Sequence, residues 1–374
     1  MDFHARFTVY SYFIENLLSG CNSVVTSGRD WCIIHYVYTY VEVYLSRRGA
    51  GETGMETVFS HTPIMVEDVL RLLEPARGGI FVDGTLGGGG HAEAVLSALP
   101  EGGRLYGIDR DDEALKAAGA RLSRFGERFT AIKGNFFDMK ALLAARGVER
   151  VDGILLDLGV SSYQLDAAKR GFSYKAEAPL DMRMDQSAPN SARDVVNTWS
   201  EEEIRRIFFE YGEEKFSAKI ARRIVEERER HPIETTTELA ALIKSAIPAK
   251  FRNEPQHPAR RCFQAIRIAV NGELDGLFDA IKTAHDLLNP DGRLVVLTFH
   301  SLEDRIVKNA FRTFENPCTC PKSAPVCICG KKPTATVLTR HPIVASETEQ
   351  RENSRATSAK LRAIRRIDPK TGSY

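Results

Sequence analysis

From residue 80 the chain alternates short apolar runs with amphipathic segments, and this rhythm constrains its fold more than any other feature. The runs 80–83, 104–109, 129–133 and 153–158 read as strands, and the segments near 91–99, 111–125 and 137–146 read as helices. Such βαβαβαβ order predicts a mostly parallel sheet with helices on both faces. After residue 158 the rhythm stops. Residues 165–255 give a polar loop rich in Pro, Asp and Met, then helical patterns at 201–210, 213–230 and 236–246 with no strand between them. This predicts an inserted all-helical domain. Strand and helix character resumes with helices at 259–271 and 273–288, a strand at 293–299 after the Pro290-Asp291-Gly292 turn, and a helix at 303–314. A Cys-containing loop and two short strands, 336–339 and 360–367, complete the pattern. The expected division is an extension at 1–54, a sheet domain in two parts at 55–164 and 256–374, and the insertion at 165–255.

The extension differs from the rest: it holds no lysine and 10 of the 32 aromatic residues. It is expected to be poorly ordered, either as upstream sequence read from an early start codon or as an added interaction segment. The longest apolar-looking stretch, 32–45, carries His35 and Glu42 and is shorter than the roughly 20 residues a membrane helix needs. With no basic segment leading into a short apolar core at the N-terminus, the expectation is a cytoplasmic chain without membrane contact. Charge excludes tail-driven nucleic-acid binding, because 51 Lys and Arg face 50 Asp and Glu. Any polyanion surface must therefore be local. Two runs qualify: 250–267 has five basic residues against Glu254, and 355–370 has six against Asp368. Each is either a solvated face or a set of phosphate contacts, and two in one chain favour the latter.

The first strand runs into Asp83-Gly84-Thr85-Leu86-Gly87-Gly88-Gly89-Gly90-His91. Glycines there let the backbone turn sharply and approach a ligand, and the helix that follows offers unpaired N–H groups. The spacing is not that of a dinucleotide loop. Asp109 ends the second strand 19 residues after Gly90, where a carboxylate can accept both hydroxyls of a ribose. A ligand with a free ribose diol follows, S-adenosylmethionine or NAD; the bland alternative is a helix cap. Asp157 ends the fourth strand at the crevice where open α/β sheets bind ligands, and a turn carboxylate is its alternative role.

In order along the chain, Asp83–His91, 153–164, Arg170-Gly171-Phe172-Ser173, Pro179-Leu180-Asp181-Met182-Arg183-Met184-Asp185, Tyr211-Gly212-Glu213-Glu214, Phe263-Gln264-Ala265 and Phe299-His300-Ser301-Leu302-Glu303-Asp304-Arg305 closely resemble the ribosomal small-subunit methyltransferase H family, also called MraW. The match runs from about His61 to Arg366. The resemblance implies a class I S-adenosylmethionine-dependent methyltransferase fold, Rossmann-like, with an inserted helical domain. It implies methylation of the exocyclic N4 of a cytidine in 16S rRNA, in the decoding region of the assembled small subunit. Carried over residue by residue, the donor site falls on Gly89, Gly90, His91, Asp109, Phe136, Asp157 and Gln164. On residue chemistry alone, His91 is as well a cap, Phe136 a packing residue and Gln164 a solvated loop residue.

Many amino-methylating enzymes carry Asp/Asn-Pro-Pro-aromatic after the fourth strand, whereas this chain has Asp157-Leu158-Gly159-Val160. Whether Asp157 orients the amine, the donor or both stays open on the sequence. His300 and Ser301 follow the strand 293–299 to the same edge and are assigned with Asp157 to catalysis, base recognition or proton acceptance; a turn opening the next helix is their alternative. Asp181, Arg183 and Asp185 suggest either a lid over the site or ion pairs within their own loop. Cys318, Cys320, Cys327 and Cys329 offer four thiolates, enough for a structural zinc or else a set of free thiols. Two other readings compete: a methyltransferase of another nucleic acid such as DNA, and a catalytically silent RNA-binding assembly factor.

Overall fold

The computed structural model describes residues 63–252, 257–321 and 326–368. The extension 1–54 lies outside them. Eight strands form one sheet: β1 (Ile80–Asp83), β2 (Arg104–Asp109), β3 (Phe129–Lys133), β4 (Val151–Asp157), β5 (Leu288–Thr298), β6 (Ala335–Val337), β7 (Ile343–Val344) and β8 (Lys360–Arg366). Their order is β3-β2-β1-β4-β5-β8-β6, with β7 also on β8. The first five are mutually parallel, and β8 runs antiparallel to β5.

Strand alternation explains why both faces need a cover. Ile154 and Leu156 of β4 and Leu294 and Val296 of β5 enter one core, with the helices Met139–Ala144, Leu277–Leu287 and Ser301–Glu315. Leu155, Val295 and Leu297, between them, enter the opposite core with the helices Val66–Leu73, Gly90–Ala98 and Asp112–Leu122. Each such side chain, fully buried, contributes about 1.5–3 kcal/mol. Because the chain steps outward from β1 through β2 to β3 and then returns to β4 on the other side of β1, a crevice opens between β1 and β4 at their carboxyl ends.

The insertion has its own core, made by helices Ala192–Thr198, Glu201–Glu210, Ser217–Arg228 and Thr236–Ala246. Three of these start on capping boxes, Ser191 with Asp194, Ser200 with Glu203 and Thr235 with Glu238, each cap being worth about 1 kcal/mol. Helix Ala259–Asn271, which the sequence pattern groups with the returning sheet domain, gives Ala259, Cys262, Phe263, Ala265 and Ile266 to this helical core. The helical unit therefore closes later than residue 255. The helix expected over 213–230 begins only at Ser217, because Glu213 takes φ 47° and Gly212 packs too tightly for a side chain, a Cβ there falling 2.7 Å from the Phe208 carbonyl. No described helix is long and apolar enough to cross a membrane.

Candidate active site

Parallel strands bring their last residues to one edge, so Asp83, Asp109 and Asp157 gather there from β1, β2 and β4. Between them lies the glycine loop. Gly87 adopts φ 51°, which favours glycine, and its N–H donates to Asp109 Oδ2 at 2.7 Å. Asp109 Oδ1 accepts from the Asp111 N–H at 2.9 Å. Burial raises the Asp109 carboxyl above the usual range, and these two amides oppose that rise.

Asp157 is held differently. Its own N–H donates to Thr85 Oγ1, yet its side-chain Oδ1 is buried with no hydrogen-bond partner. Burial pushes this carboxyl up to about 7, with the nearby Glu303 carboxylate adding to the rise. His91 Nδ1 sits 3.5 Å from Asp157 Oδ2, while its Nε2 meets the Ile64 carbonyl at 2.8 Å. Burial lowers the imidazole below its usual range, and the Ile64 carbonyl, which can only accept, takes its hydrogen bond from the Nε2 proton. Asp83, buried beneath the loop, is likewise raised by burial to about 7, against the pull of His91 and the Thr85 amide. Three carboxyls and an imidazole thus share one edge. An orphan acceptor in such a place is costly unless a ligand supplies its donor.

A cavity of about 580 Å³ opens above this edge, within the usual size of small-molecule sites. Gly90, His91, Asp109, Phe136, Asp157, Gln164 and His300 all line it, together with Gly87 and Gly88. Gly89 does not. It caps helix Gly90–Ala98, and a Cβ on it would meet Ala118 and Leu122 at 3.2 Å, so its role is close helix packing. The opposite wall comes from the helical unit and the loop before it: Phe172, Tyr174, Met184, Arg260, Phe263 and Gln264. There Tyr174 stacks on His257 at 4.8 Å and meets Phe263 edge-on at 5.5 Å.

Residues 58–367 match the model of the MraW methylase family. The chain belongs to the MraW methylase family. Curated relatives are named ribosomal RNA small subunit methyltransferase H. That of Brevibacillus brevis is 53% identical over 309 residues, covering 83% of this chain and 98% of the relative. That of Carboxydothermus hydrogenoformans is 52% identical over 309 residues, with coverage of 83% and 98%. The relative of Agathobacter rectalis named ribosomal RNA small subunit methyltransferase H 2 is 53% identical over 311 residues, covering 83% of this chain and 99% of its own. The sheet with inserted helices is accordingly the Rossmann-like class I methyltransferase fold.

Several residues of the family's motifs support the site without lining up to react. Gln164 reaches the cavity, but its Oε1 accepts the Ser161 N–H and its Nε2 donates to buried Asp111 at 2.9 Å. Asp111 also takes the guanidinium of Arg170 at 2.9 Å, and Arg170 donates onward to the Arg183 and Met184 carbonyls. Arg170, with no exposed surface, ties the 180s loop to the end of β2. Within that loop Asp181 and Arg183 pair bidentately with each other, at 3.0 and 2.7 Å, and Asp185 holds Ser187. They brace the loop, and Met184 is its contribution to the cavity.

His300 caps helix Ser301–Glu315: Nδ1 accepts the Glu303 N–H, and Nε2 lies 3.0 Å from Glu303 Oε1. Burial would raise Glu303, but His300 and Arg267 hold it below its usual range. Ser301 corrects the expectation placed on it. Its hydroxyl turns outward to Glu213 Oε2 at 3.0 Å and does not line the cavity, because the first turn of the helix aims this side chain at the insertion's 212–214 corner.

The basic runs divide. In 355–370 the cations are spent: Arg355 on Asp166, Lys360 and Arg362 on Asp304, Arg365 on Asp291, and Arg366 on the His285 and Asp286 carbonyls. This strand is bound into the fold, so the free basic surface expected there is absent among its described residues. In 250–267, Arg267 pairs with Glu273 and Arg252 with the Ile247 and Ser245 carbonyls. Lys250, Arg260 and Arg261 remain exposed with no side-chain ion pair among the described residues, Lys250 lying over the Phe251 ring, and of the three Arg260 lines the cavity. The four clustered cysteines do not line the cavity. Tyr174 and Glu303 line the cavity and Arg170 braces the loop beside it, places that residue reading did not assign, whereas Arg260 belongs to the basic run 250–267 already singled out. Glu303 had a local signal, its place three residues after the cap.

Proposed function

We propose that this chain transfers the methyl group of S-adenosylmethionine to the exocyclic N4 of a cytidine in 16S rRNA, in the decoding region of the assembled small ribosomal subunit. The observation that carries the reading is the orphan Oδ1 of Asp157, buried at the switch crevice between the glycine loop and the aromatic wall. The family and the names of the relatives supply the nucleic acid.

The residues present suit the donor. Asp109 ends β2 with a carboxylate whose position matches a ribose diol, Phe136 gives an aromatic face to an adenine, and Gly87 leaves the loop without a side chain where the ligand would lie. When bound, S-adenosylmethionine supplies an electrophilic methyl on a sulfonium. Asp157 then does two things. Its carboxylate, at the cavity edge, accepts a hydrogen of the target amine, which draws the nitrogen lone pair out of conjugation and orients it. With its carboxyl near 7 it takes the proton that N4 gives up, and His91 Nδ1 at 3.5 Å faces the second oxygen. Tyr174 and Phe263 offer the faces against which a base leaving its stack would rest, and Arg260 offers a cation to its phosphate.

Because phosphate contacts carry no sequence information, recognition must rest on the shape of the particle. The test incubates the enzyme with labelled donor and 30S particles, naked 16S rRNA, a short RNA duplex or DNA, then maps modified nucleosides by mass spectrometry. N4-methylcytidine formed efficiently only on the particle is expected. A different labelled nucleoside overturns the chemistry, equal activity on a short oligonucleotide overturns the shape argument, and methylated DNA favours the competing substrate.

A further inference from the structure

We propose that Cys318, Cys320, Cys327 and Cys329 form a tetrathiolate zinc site that fixes the loop between helix Ser301–Glu315 and β6, a role separate from methyl transfer. The four sulfurs converge. Cys327 Sγ lies 3.5 Å from Cys318 Sγ, 3.8 Å from Cys320 Sγ and 3.5 Å from Cys329 Sγ, and Cys329 Sγ is 3.8 Å from Cys318 Sγ. All four lie within 4.8 Å of one another. A tetrahedron with zinc–sulfur bonds of about 2.3 Å has sulfur–sulfur edges of about 3.8 Å. Disulfides would need about 2.05 Å. The spacing is therefore that of sulfurs around a common centre.

Apolar packing does not explain the convergence. The base of the loop is closed by ordinary bonds: Thr334 N–H to the Phe314 carbonyl at 2.8 Å, Val337 N–H to Glu315 Oε1 at 3.1 Å, and His285 both stacked on Phe314 and reaching the Thr334 carbonyl. Beyond this base the apolar side chains point to water, Val326 being 69% and Ile328 88% exposed. With no core among the described residues of the tip, four thiols gathered there need another reason to stay together. Cys262 shows the contrast, buried among the insertion's apolar side chains with no other described cysteine beside it.

The surrounding backbone fits thiolate ligands. The Ile328 N–H points to Cys320 Sγ at 3.4 Å, the amides of Lys331 and Thr319 approach Cys329 Sγ, and that of Cys320 approaches Cys318 Sγ. Such donors stabilise negative sulfur, the form that binds metal. Gly330, at φ 64°, turns the chain immediately after the last ligand. Lys331 and Lys332, both exposed, offer countercharge to a centre of net charge −2. Soft ligands in a closed tetrahedron select zinc over the hard cations.

Full-length protein purified without chelator, then analysed for metals, should hold about one zinc per chain. The Cys320→Ser/Cys327→Ser double variant should lose it while keeping its affinity for S-adenosylmethionine, which shows the variant is folded. Replacement by cobalt should give the intense charge-transfer and visible bands of a tetrahedral tetrathiolate. Stripping the metal should speed proteolytic cleavage within 316–334 at least tenfold, with cleavage elsewhere unchanged. Protein that carries no zinc and takes none up, that holds iron instead, or that keeps its zinc in the folded double variant overturns the proposal.

Discussion

The two walls of the cavity are built on different principles. The sheet wall is made of strand ends and the turn that follows each, so Gly87, Asp109, Phe136 and Asp157 reach it through backbone topology. The helical wall is collected from distant places, Tyr174 from the loop after Arg170 and Arg260 and Phe263 from a helix some ninety residues on. Arg170 and Asn271 hold these pieces together. Asn271 accepts the Met184 N–H at 2.8 Å and donates to the Met182 carbonyl at 2.8 Å. What the contrast teaches is that the donor half is a property of the fold, whereas the substrate half is a property of packing. Asp157 stands where the two halves meet, and substitutions elsewhere on the two walls should therefore separate donor affinity from RNA affinity.

The largest effect is expected at Asp157. Asp157→Asn should lower kcat about 10²-fold, the scale for removing a positioned proton acceptor, with little change in donor affinity by calorimetry. The wild-type rate should rise with pH through about 7 as this carboxyl ionises, and the variant should lose that limb. Stability gives a second reading of opposite sign. A carboxyl raised in the folded state binds more protons folded than unfolded between about 4 and 7, so its contribution to stability is present at low pH and lost as pH rises through 7. Asp157→Asn should then melt higher than wild type at pH 8 and equally at pH 4. Unchanged turnover would reduce Asp157 to a turn residue.

Next comes the donor side alone. Asp109→Ala should weaken S-adenosylmethionine binding by about 1.5–3 kcal/mol, the range for hydrogen bonds to a charged group, while RNA affinity holds. Equal weakening of both ligands would break the separation of the walls. On the other side, Arg260→Ala should weaken RNA binding several-fold and reduce the salt slope by about one phosphate contact, leaving donor affinity alone. The smallest effect is expected at Arg365, whose pair with Asp291 is half exposed. Arg365→Ala should change stability by less than about 1 kcal/mol and leave the salt slope as it is. A slope reduced as much by Arg365→Ala as by Arg260→Ala would restore the C-terminal run as an RNA surface.

Charge counting along the chain could not tell these two arginines apart. Both stand in runs of similar excess, but β8 lies beside β5 and meets Asp291 and Asp304 from segments some sixty or seventy residues earlier. The same limit explains Gly89 and Ser301. One glycine among four in a row and one residue after a cap look equivalent until the helix they start has a direction, and then Gly89 faces Ala118 and Ser301 faces Glu213. The start of the helix at Ser217 was hidden for a related reason, since Gly212 is required by its closeness to the Phe208 and Arg261 carbonyls.

By itself the sequence determined the alternation of strands and helices, the parallel sheet, the glycine loop, the acidic strand ends at 109 and 157 and the presence of a helical insertion. These rest on periods of two and 3.6 residues, on turn chemistry and on parallel strands sharing one edge, all readable within a few residues. Only the tertiary structure decided which carboxylate kept an orphan oxygen, which cations were already spent, and which aromatic residues faced the crevice. Each of those depends on desolvation and on partners brought together from far along the chain, and neither burial nor pairing is a property of any residue alone.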